Sequence, residues 1–135
     1  MESESAMKTL TIRQPWIERL ISGAKRYEFR NWKTTYRGPI LLHAGKRIDD
    51  DALPTTAELD APRGSIVAVG CLVDIVKNDR YNLMGEPRFE YGWSIRDIVR
   101  FPEPIAARGQ LWLWQCRNDE AIAIAKRLLA SAFDA

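Results

Sequence analysis

Residues 8–13 alternate apolar and polar side chains, Leu10 and Ile12 against Thr9, Thr11 and Arg13, which predicts a half-buried strand. The period then changes. Trp16, Ile17, Leu20 and Ile21 share a helical face, with Pro15 at the first turn and Gly23 just past the last, so a short helix is expected over residues 15–21. Alternation returns at residues 26–30, where Tyr27 and Phe29 point one way and Arg26, Glu28 and Arg30 the other. A polar turn over residues 33–38 leads into an apolar strand at residues 39–44 that carries His43 near its end. Residues 49–58 look helical, but Pro54 should split them into a short helix and a loop.

The densest β-branched run, residues 64–76, predicts a long central strand. Asp74 inside it is either paired, exposed on one face, or turned toward a site. Residues 77–88 include Asn78, Asp79, Asn82, Gly85 and Pro87 and predict a long loop, a candidate lid. Two further strands are expected at residues 91–95 and 98–105, the second held to a sheet edge by Pro102 and Pro104. Residues 111–116 then close the sheet. Asn118 caps a last helix whose Ile122, Ala125, Leu128, Leu129 and Phe133 make one apolar stripe, a packing element rather than a chemical one. About six short strands with flanking helices is an α+β pattern, and such a sheet most easily buries one face by curling into a small mixed β-barrel.

At 135 residues the chain has the size of one domain, expected over residues 8–135 behind a polar, acidic and disordered tail at residues 1–7. Its 46% hydrophobic and 28% charged residues are those of a globular protein rather than a disordered one. No apolar run approaches membrane-span length, so no membrane partner is expected. The first residues lack the basic-then-apolar order of a signal peptide, which makes a cytoplasmic location the default. Cys71 and Cys116 lie apart in apolar runs with His43 as the single histidine, a set without zinc spacing, so no metal or other cofactor is expected. Gly-rich phosphate loops and nucleophile elbows are missing too, which leaves kinase, dinucleotide and serine-hydrolase functions without support.

Charge changes the picture more than composition does. The net charge is +2, yet residues 1–47 hold ten Lys and Arg against four acids, and residues 48–62 hold five acids and no base. The basic half, residues 13–47, is expected to form one positive face. Interleaved with Trp16, Tyr27, Trp32 and Tyr36, it suits a polyanion whose bases stack on aromatic rings. The plainer alternative is solvated charge around core aromatics.

Its centre is residues 23–31, where Gly23, Lys25, Glu28 and Arg30 put an ammonium, a carboxylate and a guanidinium beside aromatic neighbours. Lys25 has the wrong strand parity, and joins Glu28 and Arg30 only from a helix-strand junction or across a bulge. Arg13 and Gln14 fall at another such junction, where pocket rims form. Trp16 is either core or a stacking wall. His43 is either a hydrogen-bonded structural residue or a general base.

The spacing Gly23-x-Lys25-x-x-Glu28-x-Arg30 resembles the signature of the ASCH family, whose small domains are similar to the PUA fold. Residues 10–16 resemble the family's opening strand and helix start, residues 32–44 its next strands, and residues 64–70 and 109–114 later pieces, so the likeness runs from residue 8 to 114. The resemblance implies a PUA-like barrel. It also implies RNA binding, participation in coactivator complexes, or hydrolysis of modified nucleosides. In the binding case the partner is RNA or single-stranded nucleic acid, with a protein partner left open. Arg13 and Gln14 would form the rim of the cleft, with Lys25, Glu28, Arg30, Arg37, His43 and Lys46 as its polar contacts and Trp16, Tyr36, Tyr91 and Trp93 as its aromatic ones. In the enzyme case Lys25 is a nucleophile or base and Glu28 relays protons, in a ribonuclease or in a hydrolase like the N4-acylcytidine amidohydrolases. Those amidohydrolases carry Thr where this chain has Glu28. A nearby carboxylate stabilises an ammonium, so Lys25 is expected to stay protonated.

Overall fold

The structure is a computed structural model that describes residues 6–78 and 88–133. Its elements are β1 (Met7–Gln14), α1 (Trp16–Ser22), β2 (Glu28–Arg30), β3 (Gly38–Ile48), α2 (Thr56–Leu59), β4 (Ser65–Lys77), β5 (Tyr91–Ala106), β6 (Leu113–Cys116) and α3 (Asp119–Phe133), with a 3-10 turn at Asp50–Ala52. The strands form one sheet in the order β2-β5-β4-β3-β1-β6. β1 and β3 run parallel, and the other neighbours are antiparallel. This is an α+β fold.

The sheet is open. β2 and β6 are its edges and no pairing joins them among the described residues, so the expected barrel closure is not seen. Strand parity supplies a physical reason. Ile40, Leu42 and Ala44 of β3 pack with Leu10, Ile12 and Trp93 against Ile17 and Leu20 of α1. Leu41 points the other way, into a second cluster with Val69, Phe101 and Trp114 against Ala121, Ile122 and Ala125 of α3. Each face has its own helix, so burial does not require the edges to meet. The same double cover makes β1 more than half-buried: Thr9, on the polar side of the alternation, is fully enclosed.

Local chemistry explains where the elements begin and end. Gly23 takes the left-handed conformation, φ 89, that ends α1, and the Lys25 N–H then donates to Arg19 O at 2.9 Å. This tether keeps residues 25–27 off the sheet, so β2 is shorter than the alternation suggests. The segment around Pro54 is interrupted there as expected, but into two helical pieces rather than a helix and a loop: the 3-10 turn before Pro54 and α2 after it, which a reciprocal Thr55–Glu58 capping box starts. The two strands expected at residues 91–105 are one, β5, with Asp97 at φ 55 in its middle. Pro102 and Pro104 fit because the β4 register jumps from Ile66↔Ile105 to Ala68↔Arg100, and β2 pairs with Tyr91–Trp93 alone. Neither proline is asked for a ladder N–H there. The expected lid lies largely outside the described residues. At its start, the Asn78 amide side chain donates to Phe89 O at 2.9 Å.

β1 begins at Met7, which pairs with Cys116. Cys71 and Cys116 are free thiols. Asn118 Oδ1 accepts from the Ala121 N–H at 3.0 Å and caps α3 as expected. No helix among the described residues is long and apolar enough to cross a membrane.

Candidate functional site

Lys25 reaches Glu28 from the helix-strand junction. Its Nζ donates to Glu28 Oε1 at 2.8 Å, while Arg30, two residues along the same strand face, donates to Oε2 from Nε at 3.0 Å. Arg30 Nη2 also donates to the backbone oxygen of Thr11 at 2.9 Å, tying β2 to β1 across the sheet. The Glu28 side chain is 6% exposed, against 16% for Lys25 and 22% for Arg30. Burial disfavours the Glu28 carboxylate, but the Arg30 and Lys25 charges outweigh it and hold its pKa below the ordinary value.

Aromatic rings frame this triad. Lys25 Nζ lies 4.9 Å from the Trp16 ring centroid and 5.7 Å from that of Phe29, within cation–π range. Trp16 is fixed by its indole N–H, which donates to Asp49 Oδ2 at 2.8 Å. It is half-buried against the core and also lines the cleft, so it is both core and wall. Arg19 stacks on Trp16 and pairs with Glu58 at 2.8 Å, an interaction that lowers the Glu58 pKa to about 2.

The cleft in front of the triad has a volume of about 700 Å³, the scale of a small-molecule site. Of the residues expected from sequence, Arg13, Trp16, Lys25, Glu28 and Arg30 line it. The others lie elsewhere. Gln14 is buried and donates to Pro62 O. Trp93 is fully buried and donates to Trp32 O. Tyr91 packs on the core, Tyr36 donates to Pro39 O, and Arg37 caps its own turn through Thr34 O and Tyr36 O. Asp74 is exposed and accepts from the Ile75 N–H.

His43 is buried beside the cleft rather than in it. Its Nε2 is 2.7 Å from Ala107 O and its Nδ1 3.2 Å from Thr11 Oγ1, an oxygen that accepts from the Trp114 indole at 3.0 Å. Burial lowers its pKa against the opposing Ala107 bond, so the imidazole is neutral and Nε2 is the donor. It therefore locks the chain after β5 onto β1 and β3. Cleft residues that the alternation did not single out include Asp49, Arg88, Phe89, Gln110, Leu111 and Trp112. Trp112 has φ 63, a left-handed conformation that costs a residue with a Cβ about 1–2 kcal/mol.

Part of the positive charge of the first 47 residues is paired internally. Arg19, Lys25 and Arg30 are occupied by Glu58 and Glu28. Topology builds a different ridge. The ends of β1, β3 and β5 and the start of β4 meet at one end of the sheet, as the pairs Ile12↔Ala44, Ala44↔Ser65 and Ser65↔Ala106 show. Arg13, Lys46, Arg47, Arg63 and Arg108 are exposed there, and none is in an ion pair among the described residues. Hydrogen bonds knit these segments together: the Arg63 guanidinium donates to Lys46 O, Gly64 N–H to Ala44 O and Ala107 N–H to Gly64 O. Arg13 belongs to both ridge and cleft.

A search among curated proteins finds no significant match. The family model described as the ASCH domain matches residues 10–118, which contain the triad, the whole cleft lining and every strand except the first residues of β1. The chain therefore belongs to the ASCH domain family.

Proposed function

We propose that the protein binds RNA, or another single-stranded nucleic acid, with one nucleotide entering the cleft and the flanking phosphates crossing the ridge. The observation that carries this is the buried Glu28 between Lys25 and Arg30 at the inner end of an aromatic-walled cleft. The triad offers cations for a phosphate or a base carbonyl, and a carboxylate for base N–H donors. Buried ion pairs contribute little net stability, so a ligand gives a better reason for the triad than fold maintenance does. Arg13, Lys46, Arg47, Arg63 and Arg108 are free to neutralise phosphates. Membership of the ASCH family is consistent with RNA binding or a hydrolase-like role.

Hydrolysis of an acylated nucleoside would need Lys25 as a neutral amine. Lys25 Nζ is instead held in an ion pair with Glu28 Oε1 at 2.8 Å, which occupies the amine that would have to attack. Binding is therefore the function this geometry favours. The test is fluorescence anisotropy with labelled single-stranded RNA, single-stranded DNA and duplex across a salt series, with parallel product analysis on RNA and acylated nucleosides. Single strands should bind, with affinity falling as salt rises, and substrates should remain intact. Turnover that is lost in Lys25→Arg while affinity is kept would replace binding with catalysis, since arginine keeps the charge but removes the titratable amine.

A further inference from the structure

We infer that Trp112, flanked by Leu111, is the platform on which one base of the bound strand stacks at the mouth of the cleft. The inference rests on the nucleic-acid reading above and goes beyond it by naming the residue that distinguishes a base from a bare sugar-phosphate chain. Two adjacent large apolar residues stand in the open, Leu111 at 80% and Trp112 at 61% exposure, and both line the cleft. Hydrophobic burial would draw such a pair inward. The backbone holds them out, through the left-handed conformation of Trp112, and backbone strain of this kind concentrates at ligand sites.

The platform is built before any ligand arrives. The Trp112 ring sits edge-on to Trp32 at 5.1 Å, and Trp32 sits edge-on to Trp93 at 4.8 Å. Trp93 is fully buried and donates to Trp32 O at 3.2 Å. Three rings thus run from the core to the surface. Upstream, the loop is clamped where His43 bonds Ala107 O and where Gly109 lies so close that a Cβ would come within 2.9 Å of His43 Cε1. A rigid aromatic surface loses little freedom on binding.

Charge selects the occupant. Arg13, Arg19, Lys25, Arg30 and Arg88 line the same cleft against the two carboxylates of Glu28 and Asp49, so the lining stays net positive and whatever covers Trp112 should bring anionic groups with it. A base attached to phosphates presents a π face and negative charge together, and stacking tolerates any base. A neutral apolar peptide would bring nothing to match this charge.

The experiment compares a short single-stranded RNA with an abasic strand of equal length and charge, both fluorescein-labelled, in the full chain and in Trp112→Ala and Trp112→Phe. The wild type should bind the base-bearing strand more tightly. Trp112→Ala should lose about 5- to 150-fold on that strand, the range of about 1–3 kcal/mol per stacked base, and little on the abasic one. Its salt slope should not change, and Trp112→Phe should recover most of the affinity. A melting curve on each variant checks folding, while the wild-type comparison stands without any variant. Equal wild-type affinity for the two strands overturns the stacking role and leaves phosphate-driven binding standing, the result also expected if the rim serves a protein surface. Equal loss on both strands in a folded Trp112→Ala overturns it too. Failure of the wild type to bind any strand would remove the nucleic-acid reading itself.

Discussion

Glu28→Gln isolates the triad most cleanly, because the amide keeps the shape of the side chain and removes only its charge. Losing one member of a buried ion pair costs about 3–5 kcal/mol when the partner stays wholly buried. Lys25 and Arg30 keep 16% and 22% of their side-chain surface, so they rehydrate in part and the lower end applies. We expect a loss of about 3 kcal/mol at pH 7. For a domain of this size that is a fall in melting temperature of roughly 10 °C. The pH dependence carries the sign. Although burial pushes the Glu28 carboxyl up, Arg30 and Lys25 together leave it below its ordinary 4.5. The unfolded chain therefore binds this proton more readily than the folded protein. The stabilisation is complete above the unfolded value and is lost as pH falls through the folded one. Denaturant titrations of both proteins from pH 7 down to pH 3 should show a gap that is constant above about pH 5 and narrows below it. Equal stability at pH 7, or a gap unchanged in acid, would refute the electrostatic account. The triple variant Lys25→Met, Glu28→Leu, Arg30→Met extends the test: stability should largely return, as it does when buried ion pairs give way to apolar side chains, while RNA affinity should not.

Charge reversal at Arg108 should leave the melting temperature nearly unchanged, because the side chain is exposed and outside any ion pair among the described residues, while at Arg63, equally exposed and unpaired, it should cost at most the bond to Lys46 O, about 1 kcal/mol. Each should flatten the log-log salt dependence of RNA binding by about 0.7 for every phosphate the side chain no longer neutralises, read by anisotropy between low and high salt; an unaltered slope removes that residue from the ridge. Gly109→Ala forces a Cβ to within 2.9 Å of His43 Cε1 and 3.1 Å of Thr11 Oγ1, so overpacking should cost about 1–3 kcal/mol. Thermal unfolding measures it, and a neutral result would mean that the loop after β5 yields.

Much of the architecture was legible in local pattern. The alternation at residues 8–13, the Pro-to-Gly frame around α1, the β-branched run of β4 and the Asn118 cap each follow from steric and hydrogen-bonding rules within a few residues, and the structure follows them. The triad was legible for the same reason. Gly23 ends a helix, and the two residues between Lys25 and Glu28 are enough for one chain turn to bring ammonium and carboxylate together.

Features that depend on distant pairing were not legible. Thr9 looked half-exposed because alternation within β1 says nothing about α3, which covers the other face from more than a hundred residues away. Trp93 alternates with Tyr91 and Ile95 as a cleft wall could, yet the core cluster around it and the edge-on Trp32 ring enclose it. Trp112 sits in a run that reads as strand, whereas it takes a left-handed turn and meets Trp32, a ring eighty residues away in the chain. The ridge gathers Arg13, Lys46, Arg47, Arg63 and Arg108 from four strand ends, and no short window of sequence contains them all. Periodicity is imposed by neighbouring residues and so can be read along the chain. The strand ends that meet, and the surface left uncovered, are set by register and topology, which exist only once the sheet has formed.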